Sequence, residues 1–213
     1  MDALGVITDF PAASMLTGLL ANALGWQRHH RDSLARLQQR LHYAARIDRE
    51  GDRFTDFQTA QLGGDDKGWT THGVPEGRAG ATYGSPHIRR RDHDADKRVV
   101  VALRLDSIDE APTLSDLADA LDEPARPLFL GRKPCLPSGR IAAGIVEADG
   151  FLQALETLPP PPGKSTRVLL PESEEREPHD ERRVWSDRRN WHSGVHGGTR
   201  TVLIRTLAAV SLT

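Results

Sequence analysis

The stretch that decides the fold is Val99-Val100-Val101-Ala102-Leu103-Arg104-Leu105, an apolar run rich in valine that one charged residue interrupts. Branched β-carbons pack well on a pleated surface, so this run is typical of a central β-strand. A helix start follows it, because Thr113 and Asp116 have the spacing of a capping box. That helix carries apolar side chains at Leu114, Leu117 and Leu121. The local order is therefore a strand and then a helix.

Two helices and a strand are predicted upstream of this stretch. Apolar residues recur at helical spacing within residues 11–24, which predicts a helix. Asp9, before this range, is a candidate N-cap, and Gly25, directly after it, is a stop signal. A leucine stripe predicts a second helix over residues 32–41, and residues 42–47 predict a strand. Downstream, the patterns predict strands near residues 127–130, 141–147, 167–170 and 201–206 and a short helix over residues 151–158. This mixture favours an α+β sheet that is covered on one face.

The chain has 213 residues, which is enough for one compact core with elaborations. Residues 62–90 are rich in glycine and lack apolar periodicity, so they predict an extended loop or a protruding hairpin. The run Pro159-Pro160-Pro161-Pro162-Gly163 is a stiff break in the chain. It separates a main body, residues 1–158, from a β-rich C-terminal segment, residues 159–213, which we expect to pack on that body.

Composition and charge argue against several classes of protein. No run approaches the roughly 18 to 20 apolar residues that span a bilayer, so we expect a cytoplasmic protein without a membrane partner. The single Cys135 cannot form an internal disulfide, and redox chemistry is not expected. A net charge of −2 argues against non-specific coating of nucleic acid. Basic residues nevertheless cluster in residues 87–91, 126–140 and 182–200, either as phosphate contacts or as solvated faces.

Four segments, taken in order, resemble the CasD family of the type I-E CRISPR Cascade complex. The first is Asp9-Phe10-Pro11-Ala12-Ala13-Ser14, which leads into the first helix, and the second is Asp56-Phe57-Gln58-Thr59-Ala60. The third is Arg91-Asp92-His93-Asp94-Ala95-Asp96, and the fourth is Pro127-Leu128-Phe129-Leu130-Gly131-Arg132-Lys133-Pro134-Cys135. The segment Ser186-Asp187-Arg188-Arg189 extends the likeness into the C-terminal part.

The resemblance implies a ferredoxin-like body, similar to an RNA-recognition motif, with a protruding thumb, as in the RAMP superfamily. It also implies a non-catalytic role in antiviral defence. Members of the family hold the 5′ handle of the guide RNA (crRNA), cap the filament of CasC backbone subunits and contact the large CasA subunit. We therefore expect a subunit of a ribonucleoprotein complex that works with the other Cascade subunits and needs no cofactor.

The chain departs from the family pattern in three places. Family members usually begin with a β-strand about twenty residues before the Phe-Pro element, whereas this sequence starts almost at that element, so we expect the first strand to be missing. Its absence predicts an unpaired strand edge and low solubility without partners, or a coding region that begins further upstream. Ala12 and Ala13 stand where many relatives carry a basic residue, so that contact does not transfer. Gln58 stands where histidine is common, which argues against a catalytic role for that segment.

Cations contact the phosphates of single-stranded RNA, and aromatic groups stack on its bases. The glycine-rich segment returns to the core strand through a basic run, and we assign four of its residues to the guide-RNA handle. These are Arg89, Arg90, Arg91 and His93. The alternative is an ordinary solvated basic turn.

A second candidate for the handle is the loop after the strand predicted at residues 127–130. Gly131 permits close approach of the backbone, and Arg132 and Lys133 can meet phosphate oxygens. A structural turn with exposed basic residues would carry the same sequence. Cys135 in this loop is interpreted as a small hydrophobic residue rather than a nucleophile.

Two further groups of residues have two open interpretations each. Trp69, His72 and Tyr83 lie in the segment that maps to the thumb, where aromatic groups either stack on a displaced base or pack against a neighbouring backbone subunit. Ser14 and Thr17 lie at the start of the first helix, where they either bond a phosphate or cap the helix.

The alternative function is a metal-independent endoribonuclease that cuts CRISPR repeat RNA, as relatives with the same fold do with the RNA 2′-hydroxyl as nucleophile. The groups able to donate or accept a proton are His87, His93, Tyr83 and Lys97. A scaffold that contacts only protein is a third possibility. His192 and His196 have the spacing of metal ligands, but no third ligand completes a site, so no metal is predicted.

Overall fold

The computed structural model of the chain describes residues 4–5, 7–61, 68–69, 75–76, 87–174 and 176–209. The chain forms two compact units: a hairpin unit of residues 1–7 and 51–96, and a body unit of residues 8–50 and 97–213. In chain order the elements are β1 (Leu4–Gly5), α1 (Ala13–Ala23), α2 (Arg31–Arg40), β2 (Leu41–Arg49), β3 (Asp52–Ala60), β4 (Gly68–Trp69), β5 (Pro75–Glu76), β6 (His87–Ala95), β7 (Arg98–Leu105), α3 (Leu114–Asp122), α4 (Phe151–Glu156), β8 (Thr166–Pro171), β9 (Glu181–Trp185) and β10 (Arg200–Leu207).

The body unit is built on one antiparallel sheet with the strand order β7-β2-β8-β10-β9. Side chains alternate between its two faces, as period-two geometry requires. One face packs on α1, α2 and α3 through the buried residues Leu16, Leu20, Leu37 and Leu117. The other face is covered by α4, whose Phe151 and Leu155 pack on Ala44, Val168 and Leu170. The prediction of a single covered face is therefore wrong, because the short α4 buries the second one.

The predicted helices are confirmed, with small shifts at their ends. Thr113 and Asp116 form the predicted capping box, in which the Asp116 amide donates to Thr113 Oγ1 at 3.2 Å and the Thr113 amide donates to Asp116 Oδ2 at 2.7 Å. Asp9 is not the N-cap of α1, since Ala12 holds that position without a side-chain hydrogen bond. Gly25 ends the same helix with a φ of 78°, which only glycine adopts readily. None of the described helices is both long and apolar enough to cross a membrane.

Two predicted strands, at residues 127–130 and 141–147, are wrong because both segments are irregular and pair with no strand. Leu128 of the first segment is buried against Leu19 and Ala23 of α1, and Ile141 of the second packs on the same cluster. Leu130, Ile145 and Val146 are exposed, so these apolar patterns do not mark buried strands. The predicted C-terminal segment enters the body sheet directly, since β8 pairs with β2.

The valine-rich strand β7 lies at the end of the body sheet. In the described part of the chain β7 has one neighbour, β2, with Ala45 opposite Val101 and Ala44 opposite Ala102. Both faces of β7 nonetheless pack on core residues, with Val99 and Val101 on one face and Val100 and Ala102 on the other. The strand is apolar on both faces, like a central strand, although it occupies an edge.

The hairpin unit is a three-stranded sheet in which β3 and β6 are antiparallel and β1 is parallel to β6. The two long strands pair over nine residues, from Asp52 opposite Ala95 to Ala60 opposite His87. A separate short pair, β4 and β5, places Gly68 opposite Glu76. The hairpin unit extends beyond both ends of the protrusion predicted over residues 62–90. The prediction missed the outer parts of β3 and β6 because polar residues on both faces of these strands obscure the alternating strand pattern.

A buried ion pair in the body unit makes its stability depend on pH. Arg205 donates from Nε and Nη2 to the two Asp180 carboxylate oxygens, each at 2.8 Å, and the Asp180 side chain has no solvent exposure. The hydrogen bonds from Arg205 lower the pKa of Asp180. Such a carboxylate stabilises the fold above its unfolded pKa of about 3.9, and this contribution is lost as the pH falls through the folded pKa.

Asp180→Asn should lower the free energy of unfolding by about 1.5 to 3 kcal/mol at pH 7, since it removes charge-assisted hydrogen bonds from a buried pair. Urea unfolding measured stepwise from pH 7 to pH 2 should show the difference from the wild type shrinking at acidic pH. Glu181→Gln, at the exposed ion pair with Arg183, is the control and should stay close to the wild type. A difference that is constant over the whole pH range would contradict the prediction.

Candidate nucleic-acid interface

The first turn of α1 is held by a side chain from the C-terminal part of the body unit. The Asp187 carboxylate accepts hydrogen bonds from the Ala13 amide at 3.0 Å and from Arg200 Nη2 at 2.8 Å, and the Asp187 carbonyl accepts from the Ser14 amide at 3.0 Å. The Tyr43 hydroxyl lies 3.2 Å from the same carboxylate. Burial raises the pKa of Tyr43, so this phenol stays protonated. The helix start therefore already has an anionic partner within the chain.

The two hydroxyl residues predicted at this helix start have different environments. Thr17 is fully buried, and its hydroxyl donates to the Ala13 carbonyl at 2.8 Å. The prediction that Thr17 binds a phosphate is wrong, because its hydroxyl is bonded inside the helix and cannot reach solvent. The backbone amide of Ser14 is taken by Asp187, which leaves the half-exposed Ser14 side chain for RNA. That contact stays a prediction.

The predicted phosphate loop contacts the same turn of α1. Its backbone is closed by hydrogen bonds from the Leu130 amide to the Cys135 carbonyl at 2.7 Å and from the Cys135 amide to the Arg132 carbonyl at 2.9 Å. Gly131 has a φ of 79°, and a β-carbon built on it would lie 3.6 Å from Met15 Cγ. The loop is thus fixed, with Arg132 half-exposed, and its neighbour Lys133 is exposed.

A second basic loop follows Asp187 within the basic cluster at residues 182–200, and its residues are not among those assigned to the guide RNA from the sequence. The Gln38 side chain fixes its backbone, donating to the Arg189 carbonyl at 3.0 Å and accepting from the Arg189 amide at 3.1 Å. The Arg189 guanidinium lies over the Trp191 ring, 5.3 Å from its centroid. Arg188 Nε, Arg189 Nε and Trp191 Nε1 are buried donors with no acceptor among the described residues. The signal in the sequence was the Arg-Arg-Asn-Trp pattern directly after Asp187.

Both loops therefore contact the first turn of α1, one through Gly131 beside Met15 and the other through Asp187. We call the surface formed by this turn and the basic residues of the two loops the α1-start surface. Its members are Ser14, Arg132, Lys133, Arg188 and Arg189. Cations carried on fixed loops favour an anionic ligand, and a phosphodiester supplies the oxygen acceptors that guanidinium groups bind best.

The basic run of the hairpin unit is divided between two faces of β6. Alternate residues of a strand share a face, so Arg89, Arg91 and His93 lie on one face and Arg90 on the other. Phe54 lies opposite His93, and we call this side the Phe54 face: Phe54, Arg89, Arg91 and His93. The opposite side is the Phe57 face: Phe57, Ile88 and Arg90. The four predicted handle residues of this unit therefore do not form one surface.

The remaining predicted site residues are buried, are described only in part or lie outside the described residues. Trp69 belongs to the short strand β4, and only its backbone is described. His72 and Tyr83 lie outside the described residues, as does the side chain of His87. His93 is 8% exposed, so it does not offer an accessible imidazole in this structure. Within the described ranges, no three His, Cys, Asp or Glu side chains are grouped so as to hold a metal ion.

Comparison with solved structures gives the class of fold. A chain of a "CRISPR RNA-guided surveillance complex" matches with a TM-score of 0.68 and 23% identity, over 98% of this chain and 83% of that chain. A chain from a crystal structure of a Cas protein matches with a TM-score of 0.55 and 23% identity, over 97% of this chain and 84% of that one. At such identities these likenesses show the fold alone. The fold is α+β and ferredoxin-like, as predicted.

A match to a family model identifies the family, which the structural likenesses alone do not. The model of the family described as CRISPR-associated protein (Cas_Cas5) matches residues 2–203. This chain therefore belongs to that family of CRISPR-associated proteins. A search of the curated proteins finds no match to the chain. The predicted CRISPR resemblance is confirmed at the level of this family, and the narrower CasD and type I-E assignment stays a prediction.

Proposed function

We propose that this protein is a non-catalytic RNA-binding subunit of a type I-E CRISPR complex that holds the 5′ handle of the guide RNA. The observation that carries the proposal is the α1-start surface, where two fixed basic loops flank one helical turn in a chain of the Cas_Cas5 family. Single-stranded RNA needs such defined cationic points, because its phosphates are spaced along a flexible backbone.

The partners follow from the same proposal. The guide RNA handle binds this subunit, the CasC backbone subunit adjoins it at the end of the filament, and the CasA subunit and other Cascade subunits complete an antiviral complex. The RAMP-like fold and the hairpin unit support this placement, since both are expected of a subunit that joins RNA to neighbouring protein. The net charge of −2 also fits local rather than general nucleic-acid binding.

Replacing Arg132 tests the proposal at its central loop. Arg132→Ala should weaken binding of a synthetic handle RNA about 10- to 150-fold, the loss expected for a well-formed charge-assisted contact of about 1.5 to 3 kcal/mol. The slope of log affinity against log salt should fall by about 0.7, as for one phosphate contact on a single strand. Filter binding at a series of salt concentrations measures both quantities.

The matched control for this test is Arg140→Ala. Arg140 is an exposed arginine of the same region that is already paired with Asp122. Its replacement removes the same charge without removing a member of the α1-start surface. Equal affinities and equal salt slopes for the wild type and Arg132→Ala would remove this loop from the site.

The endoribonuclease remains the second candidate, and the burial of His93 argues against it at that position. Incubating the purified protein with repeat RNA, with and without a chelator, separates the two functions. We expect intact RNA in both conditions. Cleavage at a defined position would overturn the non-catalytic proposal.

A further inference from the structure

The hairpin unit presents an aromatic ring that is supported on one side and open on the other. Phe54 and His93 stack with their ring centroids 5.3 Å apart and their planes 20° from parallel. His93 is only 8% exposed, whereas Phe54 is 52% exposed. The buried imidazole thus supports a phenyl ring whose outer face is accessible to a ligand.

Two guanidinium groups extend the same face. Arg91 and Arg89 precede His93 by two and four residues along β6, which places them about 7 Å and 14 Å from it along the strand. Across the hairpin, Asp56 lies opposite Arg91. The Asp56 carboxylate also accepts a hydrogen bond from the side-chain amide of Gln58 at 2.6 Å. The Phe54 face therefore combines an open ring with two guanidinium groups, one of which lies opposite a carboxylate.

The Phe57 face lacks this combination. Phe57 is equally exposed, at 55%, but it has no ring partner among the described residues. The cations on this side are Arg90 and Arg53, and Arg53 is paired with Asp94 at 3.0 Å. Ile88, 48% exposed, adds apolar surface beside it. Two phenylalanines of similar exposure thus differ in support and in charged neighbours.

We propose that the outer face of Phe54 is a stacking platform for one unpaired nucleobase of single-stranded RNA, with Arg91 and Arg89 contacting the adjoining phosphates. The inference rests on the proposed function and adds a base-binding residue on the hairpin unit. Stacking accepts any base, because every base has a π-face, and guanidinium groups then hold the backbone. A supported ring loses little freedom when the base arrives, which favours binding.

The test uses handle RNA in which single positions carry 2-aminopurine, a base whose fluorescence is quenched by stacking. With the wild-type protein we expect quenching at one position. Phe54→Ala should lose that quenching and bind about 5- to 150-fold more weakly, the range expected for loss of a single base-aromatic stack. Phe54→Trp should keep both properties. Phe57→Ala removes the same ring from the opposite face of the same strand and should resemble the wild type.

The outcomes separate this inference from the proposed function. If the wild type binds the handle and Phe54→Ala matches it in affinity and quenching, the platform is overturned while handle binding stands. Loss of binding in Phe57→Ala instead of Phe54→Ala also overturns it, as does a Phe54→Ala defect confined to assembly with partner subunits. If the wild type binds oligouridine through Phe54 but ignores the handle, the platform stands and the proposed handle function fails.

Discussion

Asp187→Ala is expected to lower the free energy of unfolding by about 3 to 5 kcal/mol, the cost of breaking a buried ion pair by removing one partner. The Asp187 side chain is 2% exposed and that of Arg200 is 13% exposed, so the guanidinium would be left with little water to replace the carboxylate. The Ala13 amide would lose its acceptor as well. For a chain of this size the melting temperature should fall by roughly 6 to 20 °C.

Chemical and thermal unfolding of matched variants test this prediction. Asp187→Asn keeps the shape and an acceptor but not the charge, so it should fall between the wild type and Asp187→Ala. Asp122→Ala, which breaks the exposed pair with Arg140, should change stability little, because solvent screens that pair. A stability of Asp187→Ala equal to that of Asp122→Ala would show that the buried carboxylate does not hold the body together.

The second large effect concerns the hairpin unit. Replacing Arg89 and Arg91 together with alanine should weaken handle binding at least about 100-fold, because two charge-assisted contacts of about 1.5 to 3 kcal/mol each are lost from one face. The salt slope should fall by about 1.4, the value for two single-strand phosphate contacts. Filter binding and competition assays with handle RNA measure both changes.

Arg90→Ala is the control from the same basic run. Arg90 lies between the two arginines in sequence but on the opposite face of β6, so its loss should affect affinity much less. If Arg90→Ala weakened binding as strongly as the double variant, the RNA would not distinguish the two faces. General attraction to basic charge would then explain the affinity, and the face-specific assignment would be wrong.

Much of the body could be predicted from the sequence, because its longer helices carry regular apolar stripes and its buried strands are short apolar runs. The capping box at Thr113 and the leucine stripe of α2 are local signals, and both helices form where those signals lie. The strands β3 and β6 gave no such signal, since charged and polar residues occupy both of their faces. Residues 141–147 misled in the opposite sense, because only Ile141 packs against α1, whereas Ile145 and Val146 of the same apolar run are exposed.

The candidate site was predictable only in part, for a physical reason. The basic residues of the loop at Gly131 can be recognised from the linear sequence. The division of Arg89, Arg90 and Arg91 between two faces, in contrast, follows from strand pairing. The hydrogen bond between the Ala13 amide and Asp187 at the start of α1 connects residues far apart in the chain, so no local sequence pattern predicts it. The support of Phe54 by His93 depends on the same cross-strand register.

The distance between Ala13 and Asp187 has a consequence for how the protein is made. The hydrogen bond that completes the first helix joins residues 174 positions apart. At the usual rates of translation, Asp187 is synthesised about 10 to 35 s after Ala13. Until then the opening turn of α1 lacks its acceptor, and the strand β10 that carries Arg200 is also missing. The first turn of α1 therefore gains this acceptor only after Asp187 has left the ribosome, and products truncated before Asp187 lack both this contact and the second basic loop.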